Sequence, residues 1–331
     1  MSADVCVVGS FMMDLVAYAP RRPEPGETLI GTGFSSAPGG KGFNQAVAAA
    51  RAGARTAMVG CVGDDEMGAQ FRTMLGAEGI DATAVTVRPD AGTGVGLPLV
   101  EPSGQNSIVV VPRANHVVDT AQIVDAAPVI TGAKVLVMQL ELAVEAAVAA
   151  ARIAHERGVT VILNPAPVCP LPAELLEHVD VLVPNEGELA ALSGEPGADP
   201  VTSAAALRDR WGLDVVVTLG ERGALVLTRD GVARRVPARA VTAVDTVGAG
   251  DVFCGYLAAG LAQGLDLATA ADAANAAAAI SVTRTGSAAS APTADEVRAL
   301  VAASPTTVSP TTVSPTTVSP GVVSPAVVSP R

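Results

Sequence analysis

Residues 133–167 read "AKVLVMQLELAVEAAVAAARIAHERGVTVILNPAP". A Val-rich apolar run at 133–141 is followed by an Ala-rich stretch at 144–158 that closes on Gly158, and a second apolar run occupies 159–167. Strand, helix and strand in that order make a βαβ unit, whose two strands lie parallel because the chain crosses back over one face of the sheet. Both runs are apolar at nearly every position rather than at alternate ones, as strands buried on two faces are. The pattern continues on both sides. "DVCVVGS" (4–10), "TAMVGCVG" (56–63), "VDVLVPNEGE" (179–188) and "DVVVTLGERGALVLT" (214–228) read as strands. "NQAVAAARAGA" (44–54), "GAQFRTMLGAEG" (68–79) and "AAALRDRWG" (204–212) read as helices. The expected class is α/β: a doubly wound, mostly parallel sheet flanked by helices.

Two segments break this rhythm, at 11–38 and 92–118. The second holds two alternating runs joined by "EPSGQ", a hairpin signal. Together they predict a small antiparallel β flap, a lid beside the main sheet that could close and exclude water. One domain is expected over 1–303. Residues 304–331 repeat Ser-Pro every five positions, which removes backbone donors and predicts a disordered, partly polyproline tail.

Composition excludes several classes. A formal net charge of −12 does not suit phosphate backbones, and 2% aromatic residues offer no stacking platform, so no nucleic-acid partner is expected. No unbroken apolar run reaches the length of a membrane span, and the start of the chain reads as a strand rather than a signal peptide. Cys6, Cys61, Cys169 and Cys254 are far apart and sit in apolar runs, which predicts buried reduced thiols and a cytoplasmic setting. The three His residues do not cluster into a metal-ligand pattern.

The chemistry lies in two Gly-rich stretches. In "VDTVGAGDVFCGYLAAGLAQG" (244–264), Gly248, Ala249 and Gly250 precede Asp251 at the start of a helix. A helix N-terminus offers free amides and the positive dipole end, and so binds anions. Asp251 has two readings there: a plain N-cap, or a base that takes an alcohol proton beside an anion hole. The second stretch, "APGGKGFNQAVAAARAGA" (37–54), fits neither the Walker nor the GxGxxG pattern. Its Gly pair lets a small ligand approach the backbone, and Asn44 can both donate to and accept from sugar hydroxyls.

"GGKGFNQAVAAARAG" and "DTVGAGDVFCGYLAAGL", in that order and about 200 residues apart, resemble the two signatures of the ribokinase-like sugar kinases, the phosphofructokinase-B type family. The likeness runs from about residue 4 to residue 302 and includes "MQLE", "NPAP" and "PNEGELAALSG". It implies ATP-dependent phosphorylation of a sugar hydroxyl, with D-ribose to ribose 5-phosphate as the first choice; another sugar (fructose, a keto-deoxy acid) or a nucleoside is the alternative. A non-catalytic sensor would be expected to have lost Asp251 or the Gly pair, and neither is lost.

The resemblance also implies roles by position. Asp251 would be the base, and Gly248, Ala249 and Gly250 the anion hole. Asp14, Gly40, Lys41, Asn44 and Glu141 would hold the sugar. Asn185, Thr218, Gly220, Gly223, Gly250 and Asn275 would line the ATP site, and Glu188 would reach Mg²⁺ through water. Asp245, Val247, Ser281, Arg284, Gly286 and Ser290 would hold K⁺. A homodimer joined through the lid is implied too. Three residues depart from the family pattern near the expected sugar site: Met12, Phe43 and Arg113.

Overall fold

The computed structural model describes residues 2–304 and 307–311. A ten-stranded sheet forms its centre. From one edge the order is β14 (Ser309–Thr311), β13 (Ala233–Val236), β12 (Ala224–Leu227), β11 (Asp214–Thr218), β10 (Val181–Leu182), β9 (Thr160–Leu163), β8 (Val135–Met138), β1 (Val5–Val8), β4 (Thr56–Gly63) and β5 (Asp81–Arg88). Every pairing from β11 to β5 is parallel. The β11–β14 end is antiparallel.

The run at 214–228 is therefore two strands rather than one. Gly220 (φ 57°) and Gly223 (φ 85°) turn the chain back through a short 3-10 segment. A Cβ on Gly223 would stand 2.0 Å from the Val236 carbonyl oxygen, so only glycine fits this turn. Part of the 304–331 repeat differs from the reading of a disordered tail, because Ser309–Thr311 pairs with the exposed edge of β13. Pro310 is tolerated there since an edge strand need not donate on its outer side. Residues 312–331 lie outside the described part.

Two apolar layers cover the sheet. One holds the helices Lys41–Arg51, Ala249–Ala262 and Leu267–Ser281; the other holds Val144–His155 and Pro200–Trp211. With few aromatics, Ala-rich helix faces fill the space by coming close. A Cβ on Gly255 would lie 2.5 Å from the Gln45 carbonyl oxygen, so the helix Ala249–Ala262 crosses Lys41–Arg51 at backbone distance. That crossing places Asp251, one turn before Gly255, against Asn44 and Gln45. Cys6, Cys61 and Cys254 are buried, Cys169 is half-buried, and all four are free thiols. Among the described residues no helix is long and apolar enough to cross a membrane.

The lid is a second sheet, ordered β3 (Gly33–Gly39), β2 (Met12–Tyr18), β6 (Gly94–Val100) and β7 (Asn106–Val111). Its two outer pairings are antiparallel, and the central one, β2 with β6, is parallel. The second hairpin, β6–β7, turns at the "EPSGQ" segment.

Candidate active site

The helix Ala249–Ala262 starts after Gly248, which has φ 78°, and no side chain caps it. A Cβ on Gly248 would stand 2.8 Å from the Ser287 Cα, so the turn that aims the first helix amides admits only glycine. Asp251 sits in the first turn and is 6% exposed. Its Oδ2 accepts from Asn44 Nδ2 at 2.9 Å and its Oδ1 from Gln45 Nε2 at 3.0 Å. The carboxylate is thus not a cap: both oxygens are held by the neighbouring helix, beside amides that lack intrahelical partners.

The Gly-rich turn before Lys41–Arg51 packs on the end of β1. Gly40 has φ 90°, and a Cβ on Gly42 would lie 2.3 Å from the Ser10 amide nitrogen. This approach lets the Lys41 amide donate to Glu141 Oε2 at 2.9 Å, while the Ser10 hydroxyl donates to the same oxygen. Asp14 projects from β2 between Gly39 and Gly96, whose missing side chains make room for its carboxyl. Burial, with Glu141 nearby, pushes the Asp14 carboxyl up to about 6. Burial alone would lower the Lys41 ammonium, but Asp251, Glu141 and Glu188 outweigh it and the net shift is upward. One lysine therefore answers three carboxylates. Asn44 Oδ1 is buried without a partner, an acceptor suited to a ligand hydroxyl.

Near Lys41 and Asp251, Asn185 and Glu188 form a capping box at the start of the helix Glu186–Ser193. Asn185 accepts from the Glu188 amide at 2.8 Å, and Glu188 accepts from the Asn185 amide and side chain at 2.8 Å each. Burial raises the Glu188 carboxyl and Asp251 adds to this, partly offset by Asn185 and Lys41. Thr218 bridges to Asn185 at the end of β11. Gly223 and Asn275 meet at one place: Gly223 packs on residues 236–238, and Asn275 Nδ2 donates to the Pro237 carbonyl at 2.9 Å. Gly220 turns beside them with open space where a Cβ would be.

Among the residues matched to a monovalent-cation site, Asp245 is the link. Its carboxylate accepts the Val247 amide and the Gly286 amide, at 3.0 Å each, and so ties the turn before Gly248 to the 281–290 loop. The Ser281 carbonyl is engaged by the Arg284 amide, Ser290 Oγ donates to the Ser287 carbonyl, and the Arg284 side chain reaches Glu296. Among the described residues there is no group of three or more His, Cys, Asp or Glu able to hold a metal ion alone.

Residues 2–294 match the pfkB family carbohydrate kinases. The chain belongs to the pfkB carbohydrate kinase family. This pfkB-family kinase is 38% identical over 299 residues to a ribokinase of Haemophilus influenzae, covering 89% of the chain and 97% of that relative. It is also 38% identical over 297 residues to a deoxyribokinase of Salmonella typhi, covering 88% of the chain and 97% of that relative. Among solved structures, Thermotoga maritima ribokinase superposes with a TM-score of 0.84 at 32% identity, covering 91% of this chain and 99% of that one. Arabidopsis thaliana ribokinase complexed with ribose and ATP gives the same TM-score at 29% identity, with coverages of 91% and 99%.

Of the three departures from the family pattern, Phe43 belongs to the core of this pfkB-family kinase. It is fully buried with Phe11 and Phe71, ring centroids 6.2 and 5.0 Å away, because an aromatic-poor core gathers its rings. Met12 is buried as well. Arg113 turns onto the Thr93 carbonyl at 2.9 Å and packs over Gly92. Sequence reading missed Ser10, Gln45, Gln139, Asn164 and Asn115. Asn115 clamps the Phe11 backbone, accepting from its amide at 2.9 Å and donating to its carbonyl at 2.8 Å. "FNQ", "MQLE" and "NPAP" carried three of these residues in plain view, but a lone amide side chain has no spacing rule that marks it.

Proposed function

We propose that this kinase transfers the γ-phosphoryl group of ATP to the 5-hydroxyl of D-ribose, giving ribose 5-phosphate and ADP. The observation that carries this reading is the Asp251 carboxylate: buried, free of any capping duty, and held at a helix N-terminus by two amides. Asp251 takes the hydroxyl proton as that oxygen attacks the γ-phosphorus. The bond to the β-phosphate oxygen breaks, and its electrons leave with ADP. Amides of residues 248–251 face the charge that develops on the transferred group. Asp14, Gly40, Lys41, Asn44 and Glu141 hold the sugar, with Asn44 Oδ1 as an acceptor already waiting. Asn185, Thr218, Gly220, Gly223 and Asn275 support the nucleotide.

Three carboxylates facing one lysine leave negative charge that a cation would relieve, and the oxygens of Asn185 and Glu188 suit a hard ion. Mg²⁺ bound there with ATP would neutralise phosphate charge, Glu188 acting through its water shell. Oxygen donors around Asp245 suit K⁺, which would order the anion-hole turn from behind. The free thiols fit a reducing cytoplasm. The exposed lid residues Phe34, Ile108, Val109 and Val110 support a homodimer through the lid.

The equal identity to a deoxyribokinase supports 2-deoxyribose as the second reading. A coupled ADP-release panel of ribose, 2-deoxyribose, fructose and nucleosides, run in K⁺ and in tetramethylammonium, tests both points. Ribose should give the highest kcat/KM, and K⁺ the higher rate. A better nucleoside rate, or equal rates in the two cations, would count against the corresponding assignment.

Asp14 gives a pH test. Burial, with Glu141 beside it, raises its folded-state carboxyl to about 6, above the ordinary carboxylate range. From pH 6 down to about 4 the free protein therefore binds a proton that the unfolded chain does not, and this group favours folding more as pH falls. Sugar hydroxyls donate to the ionised form, so binding must expel that proton. The sugar KM is expected to rise roughly tenfold per unit of pH below about 6, and calorimetry at pH 5.5 should detect proton release. A KM that stays flat from pH 7.5 to 5 would remove Asp14 from the sugar site.

A further inference from the structure

Behind Asp251 lies a chain of amide side chains whose direction is fixed from its far end. Asn164, just after β9, donates Nδ2 to the Val183 carbonyl at 3.0 Å. A carbonyl only accepts, so Asn164 must turn its Oδ1 the other way, toward Gln45. That oxygen also only accepts. Gln45 therefore presents its NH₂ group, with Nε2 3.2 Å from Asn164 Oδ1 and 3.0 Å from Asp251 Oδ1. Its Oε1 is left on the opposite side, where Gln139 Nε2 donates at 2.6 Å. Reversing Gln45 would set its oxygen against two acceptors and its NH₂ against another donor. All three amides are buried, and Gln45 has no exposed surface, so it acts only through its neighbours.

The structure assigns Gln45 as the positioning residue of Asp251: an N–H, locked in direction by Asn164, that sets the plane of the carboxylate and hydrogen-bonds its ionised form. Asn44 shares the task on the other oxygen but has an unpartnered Oδ1, whereas every polar atom of Gln45 is engaged inside the protein. The charged and titratable groups that interact with Asp251 are Lys41 on the helix of Gln45, Glu188 from the helix Glu186–Ser193, and Cys254 on Asp251's own helix. None of them takes over the hydrogen bond to Oδ1. The assignment rests on Asp251 being the base.

The test uses the full chain with Gln45→Leu, Gln45→Glu and Asp251→Asn, each followed by steady-state kinetics across pH and by thermal melting. Loss of a hydrogen bond to a charged group should lower kcat of Gln45→Leu roughly 10–100-fold while the sugar KM stays within about threefold. Gln45→Glu keeps the side-chain size but sets a second carboxyl against Asp251, and the two share a proton. Its acidic limb in the kcat profile should move up by about one pH unit or more. A folded Gln45→Leu with kcat within about twofold of wild type would overturn the assignment. So would a kcat loss matched by an equal rise in KM. Should Gln45→Leu fail to fold, Gln45→Glu decides alone, and an unmoved acidic limb overturns the assignment. If Asp251→Asn loses turnover while the Gln45 variants keep theirs, only the Gln45 role fails. If Asp251→Asn itself turns over normally, the base and its positioning residue fail together.

Discussion

Asp251→Asn lowers kcat by about 10²–10⁴-fold, the span over which a general base contributes. The substitution keeps the size of the side chain and its place in the first turn of the helix Ala249–Ala262. It also removes the basic oxygen pair; with Gln45 Nε2 fixed, the new NH₂ group must face Asn44, whose unpartnered Oδ1 can turn to accept from it. The turn of Asn44 keeps the loss of stability at or below about 1 kcal/mol, under the range for a buried polar group left unpaired. Melting temperature should therefore fall modestly while sugar binding, measured by calorimetry, is largely kept. A variant with wild-type turnover would show that another group takes the proton. A variant that no longer binds sugar would show that Asp251 shapes the pocket rather than the transition state.

Gly42→Ala should damage both fold and site. The three atoms nearest the added Cβ are all backbone, the Ser10 nitrogen at 2.3 Å and the Gly9 carbonyl carbon and Cα at 2.5 and 2.6 Å, so no side chain can swing away. The helix Lys41–Arg51 must move off the end of β1, at about 1–3 kcal/mol, the usual cost of overpacking. The shift separates the Lys41 amide from Glu141 and the Gly42 amide from Ser10 Oγ. Melting temperature should drop and the sugar KM should rise together, because one contact carries both. Gly76→Ala is the control: a Cβ there meets nothing within 4 Å, and both measurements should stay near wild type. A Gly42→Ala protein as stable as that control would contradict the close approach.

The β-α-β rhythm was readable because its signals are local. Val5–Val8 and Val135–Met138 are buried throughout, and Thr160–Leu163 at every position after Thr160, so they announce themselves as apolar runs. The hairpin at β11–β12 was blurred for the same reason, since both strands are apolar and only Gly220 and Gly223 separate them. β5, with its partly exposed residues, carried too weak a pattern to be read. At the site, a glycine next to an Asp or Lys stands out in sequence, but a buried glutamine does not. Gln45 and Gln139 lie 94 positions apart and meet only because two βα connections deliver them to one end of the sheet.

The amino-acid order by itself determined the class of fold, the two glycine turns and the candidate base, because hydrophobic period, glycine and charge act over a few neighbouring residues. Tertiary structure decided what Asp251 does with its oxygens, which way each amide behind it points, and that Phe43 belongs to the core. Those outcomes depend on hydrogen bonds and contacts between residues far apart in the chain, whose direction is set only when the helices Lys41–Arg51 and Ala249–Ala262 pack at backbone distance.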